Sequence, residues 1–319
     1  RPDGIRRRIL IVAITLDLGT LALWKYLSFA TEQLDRVLES IGLSAPVASL
    51  ALPIGVSFYT FHQISYVVDV YRGVVPAQSS LMKFASYVSM FPQLIAGPIV
   101  RYKEIADQLD RPRPTTLDSI IDGFPRFALG LTKKVVIADS LAPVASALFD
   151  GPNQSVGAVT AWVGVIAYTL QIYFDFSGYS DMAIGLGRMM GFRLPENFDR
   201  PYSATTITDF WRRWHMSLSR WFRDYLYIPL GGNRRGLVLT YRNLVIVFLL
   251  AGIWHGANWT FLVWGAYHGV LLIGDRVIGS LARTPSVPRF LQRALTLVLV
   301  MVGWAIFRAH SLGSAGAVI

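Results

Sequence analysis

The chain has 319 residues, 53% apolar and 16% charged, with a formal net charge of +10 and a mean hydropathy of +0.43. Soluble domains average about 45–50% apolar and about 25% charged, so this composition excludes an ordinary soluble globule. With no cysteine, disulfides, cysteine–metal sites and thiol nucleophiles are excluded too, and basic residues embedded in so apolar a chain make nucleic acid a poor partner.

The chain opens at Arg1 rather than Met and closes on "SAGAVI". It reads as a piece of a longer protein with no cleavable signal peptide. The first stretch, "GIRRRILIVAITLDLGTLALWKYLSF", predicts an apolar helix whose Arg6, Arg7 and Arg8 place that end in the cytoplasm. Ile41 to Val68 is an uncharged run, but "ASLALPIGVSFYTF" and the later "YVSMFPQLIAGPIV" hold proline within apolar sequence. Irregular backbone at membrane depth survives only when buried in protein or lining a cavity, so these segments are expected to re-enter or to lie across the interface. "RYKEIADQLDRPRPTT" (101–116) reads as a surface loop bounded by proline. "LDSIIDGFPRFALGLTKKVVIADSLAPVASALF" reads as helical, with Lys133 and Lys134 suited to an interface.

A spanning helix needs roughly 20 apolar residues, and Gly151 to Phe174 is the cleanest candidate. Asp175 and Asp181 follow it and are expected to cap helix ends or to pair with nearby Arg. Between Arg188 and Arg242 stand ten Arg and four acidic residues, a net of +6 in 55 positions. That suits a cytoplasmic loop under the positive-inside rule, and equally a basic surface that receives a phosphorylated donor. Within it, Trp211, Trp214, Leu218, Trp221 and Phe222 recur at helical spacing, with Arg212, Arg213, Arg220 and Arg223 as the cationic complement. One amphipathic interfacial helix is expected there. Leu244 to Gly274 is too long for one span and too short for two with a loop, so it predicts a helix broken near Gly256-Ala257-Asn258. Ala294 to Phe307 is a last, shorter run. No internal repeat or low-complexity segment is evident. The whole is expected to be all-α, one multi-pass domain over 1–319.

Ionisable groups within hydrocarbon are costly and become functional candidates by default. His255 stands in "AGIWHGANWT", between Gly252 and Gly256 and three residues before Asn258. It is either a packing residue or the reactive group of an intramembrane site. Trp254 and Trp259 beside it are suited to wall a narrow passage. His268, in "VWGAYHGVLL", is expected to make a core hydrogen bond. His215 reads equally as an interfacial histidine or as part of a site. No paired carboxylates at glycosidase-like spacing, P-loop, metal triad or G-x-S-x-G serine is present, so an enzyme here would use histidine as its base.

"WRRWHMSLSRWFRDYLYIPLGGNR" followed by "AGIWHGANWTFLVWGAYHG" resembles the membrane-bound O-acyltransferase family. "PIGVSFYTFHQISYVVDVYRG", "FPQLIAGPIVRY" and "DFSGYSDMAIGLGRMMGFRLPENFDRPY" are similar, in the same order, to its alginate O-acetylation branch. The resemblance spans about 45–310. It implies a multi-pass helical fold with re-entrant or interfacial helices around a central tunnel. It also implies a bacterial inner-membrane location, and family spans that lie before Arg1 and after Ile319. The family's essential histidine matches His255 and its second characteristic histidine matches His215. On this reading His255 is the base, His215 orients the donor or the neighbouring segment, Arg212, Arg213 and Asn258 assist substrate binding or carbonyl polarisation, and Trp254 assists substrate binding. No metal or bound cofactor is implied. Acetyl-CoA or another acyl thioester is the donor, and an exported polysaccharide such as alginate is the acceptor, reached through a periplasmic acetyltransferase partner. The alternatives are D-alanyl or fatty-acyl transfer to another envelope acceptor, and a non-enzymatic transporter or scaffold.

Overall fold

A computed structural model describes residues 3–48, 50–51, 53–94, 97–151, 157–280 and 287–319. Every regular element among them is helical, as the sequence predicts. Parts of the proline-bearing stretches (Ser49, Leu52, Ile95, Ala96) and of the Gly151–Phe174 run (152–156) lie outside the described residues. The chain divides into two compact units, Arg1–Ile95 with Ile99–Arg113, and Ala96–Pro98 with Pro114–Ile319.

The first unit opens with α1 (Asp3–Glu39), a helix of 37 residues with Ile9, Val12, Leu16 and Leu23 exposed along it. None of the described residues between 40 and 55 is helical, and Gly55, with a φ of 79°, marks the entry to α2 (Val56–Tyr71). The short α3 (Leu81–Val88) is capped by Ser80, whose side chain accepts from the Lys83 amide. α4 (Phe91–Leu94) and α5 (Tyr102–Asp110) follow. The predicted loop at 101–116 is therefore half helix. Glu104 accepts from the Arg101 backbone N–H at 2.8 Å, and Tyr102 and Ile105 of the helix are buried, which the prolines beyond do not disturb.

In the second unit α6 (Leu117–Thr132) runs through one turn of π-helix (Lys133–Ala138) into α7 (Asp139–Phe149). α8 (Ala158–Met189) returns antiparallel along them. The helices meet at glycines seven residues apart on each side. A Cβ on Gly130 would stand 2.5 Å from the Gly178 carbonyl oxygen, and one on Gly185 would stand 2.6 Å from the Phe127 amide nitrogen. Small residues let helix backbones touch where the membrane supplies no hydrophobic drive between helices. α8 is longer than its apolar run, and Asp175 and Asp181 lie inside it rather than at its ends. Their expected capping is thus overturned, but cations do pair with them. Asp181, 5% exposed, takes Arg126 Nε and Lys133 Nζ at 2.6 Å each, while Lys134 takes Asp175 at 2.8 Å.

Two short helices come next, α9 (Ile207–Arg213) and α10 (Met216–Phe222). The apolar run beyond them holds two full helices, α11 (Leu237–His255) and α12 (Trp259–Ser280), rather than one broken span. Both extend past the uncharged residues, taking in Arg242 at one end and Asp275 and Arg276 at the other, which is why run length alone undercounts them. The break itself falls at 256–258 as predicted. α13 (Arg289–Arg308) and α14 (Leu312–Val318) complete the unit. Five helices, α1, α8, α11, α12 and α13, are long and apolar enough to cross a membrane.

Replacing Gly130 by Val drives a side chain into the backbone of α8. The expected cost is at least about 3 kcal/mol, the upper end for overpacked cores. Thermal unfolding of the detergent-solubilised protein should show a fall of several degrees or more. Gly274→Val, where a Cβ meets nothing within 4 Å, should show little change.

Candidate functional site

Trp214 and Met216 are hydrogen-bonded like the ends of separate helices because the residue between them is not helical. His215 has φ 45° and ψ 54°. A side chain in the left-handed region costs roughly 1–2 kcal/mol, and such strain persists where surrounding structure over-determines it. The expected single helix is therefore broken here, although its apolar face is real: Trp214, Leu218, Trp221 and Phe222 are all buried. What overrides the helix is the loop 196–200. The Asn197 carbonyl accepts from the Met216 amide at 2.9 Å, and the Asp199 amide donates to the Arg213 carbonyl at 3.0 Å. Arg200, at the far end of that loop, is the only other non-glycine residue with positive φ among the described residues.

His215 is 2% exposed. Its Nδ1 lies 3.1 Å from Asn197 Oδ1, which also accepts from the Ser217 amide at 3.2 Å and the Ser217 hydroxyl at 2.9 Å. Asn197 Nδ2 donates to Ser180 Oγ on α8 at 3.1 Å. His215 Nε2 is buried with no hydrogen-bond partner. Burial, with a lesser contribution from nearby His255, pushes the His215 imidazole well below its usual range and keeps it neutral.

His255 is the last residue of α11 and is partly exposed. Its ring is walled by Trp254, Trp264 and Phe307 at 4.8, 5.2 and 5.1 Å between centroids. Trp304 links this wall to the His215 segment, lying 4.7 Å from Trp214 and 5.8 Å from Phe307. The turn after His255 is fixed by Asn258, whose Oδ1 accepts from the Thr260 amide at 3.1 Å while its Nδ2 donates to the His310 carbonyl at 2.9 Å.

The sequence-predicted residues thus separate by role. His215 and His255 come within electrostatic reach of one another, and Trp254 lies on the His255 ring. Asn258 spends its amide on the turn. Arg213 is paired with Asp209 at 2.9 Å, whereas Arg212 is exposed beside the strained histidine. His268 does not make the core hydrogen bond expected of it. Both its ring nitrogens are without partners, and it packs between Trp211 and Trp264 at 5.0 and 5.1 Å. Asn197, Ser180, Trp264, Trp304 and Phe307 were not singled out by sequence. Asn197 sits in "LPENFDRPY", where flanking prolines and charges signal only a loop. Beside it a cavity of about 240 Å³ is lined by Arg126, Lys133, Tyr173, Ser177, Asp181 and Arg200, among others.

Residues 73–312 match the family described as MBOAT, membrane-bound O-acyltransferase. The chain belongs to that family. The matched stretch includes both histidines and runs across the division between the two units. The chain is 51% identical over 310 residues to the probable alginate O-acetylase of Azotobacter vinelandii, covering 97% of this chain and 61% of that protein. It is 51% identical over 314 residues to the probable alginate O-acetylase of Pseudomonas aeruginosa, covering 97% and 60%. The peptidoglycan O-acetyltransferase of Helicobacter pylori is 38% identical over 343 residues, covering 99% and 64%. The chain therefore spans about three fifths of the length of these relatives.

The depressed His215 pKa has a consequence for stability. The unfolded imidazole titrates near 6.5, so between the lower folded value and 6.5 the unfolded state binds more protons. Stability therefore rises with pH through that window and is lost as pH falls below about 6.5. The thermal midpoint should drop from pH 6.5 to pH 5, and His215→Gln should remove part of that slope.

Proposed function

We propose that this protein, as a membrane-bound O-acyltransferase, moves an acetyl group from an activated thioester to a hydroxyl of an exported polysaccharide, alginate being the nearest candidate. One observation carries this reading: the segment of buried His215 and the helix-end His255 are joined by a continuous chain of ring contacts, from Trp214 through Trp304 and Phe307 to the His255 ring. The relatives' names supply the acetyl group and the polymer class.

His255 takes the proton of the acceptor hydroxyl as its oxygen attacks the thioester carbonyl. The tetrahedral intermediate then collapses, the carbon–sulfur bond breaks, and the departing thiolate recovers the proton from His255. A thioester is already activated, so no covalent enzyme intermediate is needed. Positioned base catalysis contributes roughly 10²–10⁴ in rate. His215 orients the donor. Arg212, with Arg213 and the turn held by Asn258, assists binding of an anionic donor such as acetyl-CoA, and Trp254 closes the passage around the His255 ring. The donor comes from the cytoplasm of a bacterial inner membrane, and a periplasmic acetyltransferase partner completes delivery to the polymer.

In cells carrying the intact protein at matched membrane abundance, His255→Ala should abolish acetylation of the exported polysaccharide, a loss of at least about 10²-fold in transfer. Undiminished acetyl content would assign His255 to packing and favour a transporter or scaffold.

A further inference from the structure

His215 Nδ1 and Asn197 Oδ1 are 3.1 Å apart, and the identity of the Asn197 atoms decides which partner donates. The Ser217 backbone N–H, 3.2 Å from the same atom, is an obligatory donor, so that atom is the amide oxygen. The amide nitrogen is then the atom that reaches Ser180 Oγ at 3.1 Å. An amide oxygen only accepts, so Nδ1 must carry the proton. At the opposite side of the ring Nε2 is buried and has no partner. Leaving a buried acceptor unsatisfied is costly, and the left-handed backbone at His215 adds to it. What sets this ring apart from His268, whose two nitrogens are both unpartnered among aromatic rings, is that one nitrogen is pinned while the other is left bare. His215 is held by the Asn197 carbonyl, the Asn197 side chain and the Asp199 amide together.

We propose that Asn197 is a positioning residue that locks His215 in the Nδ1–H tautomer, presenting a bare Nε2 as acceptor for an N–H or O–H of the bound acyl-transfer substrate. The inference rests on the acyl-transfer reading above. His215 then acts as a neutral acceptor that orients, while the proton traffic of the reaction belongs to His255. Among the described residues, the titratable group that acts electrostatically on His215 is His255. Phe176 and Ser180 on α8 and Ser217 on α10 carry no charge, so little besides Asn197 decides which nitrogen is protonated.

The test uses the intact protein with ¹⁵N-labelled histidine, the His215 signals being assigned by their loss in His215→Gln. Expected in the wild type is a protonated Nδ1 and an unprotonated Nε2 from pH 6 to 8. Asn197→Asp keeps the shape and the acceptor but places a carboxylate against Nδ1–H, which favours the imidazolium. Its Nε2 should gain a proton at higher pH than in the wild type. Transfer should acquire an acid limb, falling about tenfold per pH unit below that point. Asn197→Ala should lower kcat by up to about 10²-fold, as loss of orientation does. Ser217→Ala, which leaves the His215–Asn197 bond, should keep the wild-type pH profile. If Asn197→Ala does not fold, the nearly isosteric Asn197→Asp carries the test. An Nε2–H tautomer in the wild type, or an Asn197→Asp profile superimposable on the wild type, overturns the proposal. Since the spectrum reads the tautomer without any turnover, failure of this lock and failure of the acyl-transfer reading give different results.

Discussion

One buried amide ties the site together. Asn197 receives hydrogen bonds from the His215 ring and from two groups of Ser217, and gives one to Ser180. It thereby joins α8 to the joint between α9 and α10. In a protein with so little water around its core, each of those polar groups would otherwise be stranded. The left-handed backbone of His215 is tolerable only because this network leaves the chain no better path. The side-chain amide sets the ring orientation, while the backbone of the same loop, through the Asn197 carbonyl and the Asp199 amide, accompanies the helix break.

Charge is handled by the same economy of partners. Asp181 is buried in the middle of α8 with two cations on it, and Arg126 reaches on to Glu196 at 2.6 Å, the residue before Asn197. Breaking a buried pair by removing one partner costs about 3–5 kcal/mol, so at Asp181 α6 and α8 are fastened by ionic contacts as well as by packing, while the more exposed Arg126–Glu196 pair adds a weaker tie to the 196–200 loop. The loop that positions His215 is anchored from both directions.

The parts of this arrangement legible in sequence were those carried by local pattern. The apolar runs located the spans, and Gly256-Ala257-Asn258 located the turn that leaves His255 at a helix end. The 207–228 stretch misled because its apolar spacing continues on both sides of His215. A single left-handed residue preserves the burial of Trp214 and Leu218 while ending the helix, and its cause lies in Asn197, which adjoins it only in the fold. The 101–116 stretch misled in the opposite way, its prolines masking the helix that Glu104 caps. His268 shows a further limit: a core histidine need not find a hydrogen-bond partner when aromatic rings enclose it.

The glycines that face each other across α6 and α8 also fix how this protein can vary in length. Each added residue turns an α-helix by about 100°. A single insertion between Gly123 and Gly130 would rotate one glycine off the seam and bring a side chain to the Gly178 carbonyl, where a Cβ in place of Gly130 would stand only 2.5 Å away. Between these glycines the chain is therefore held to a count of seven on each helix.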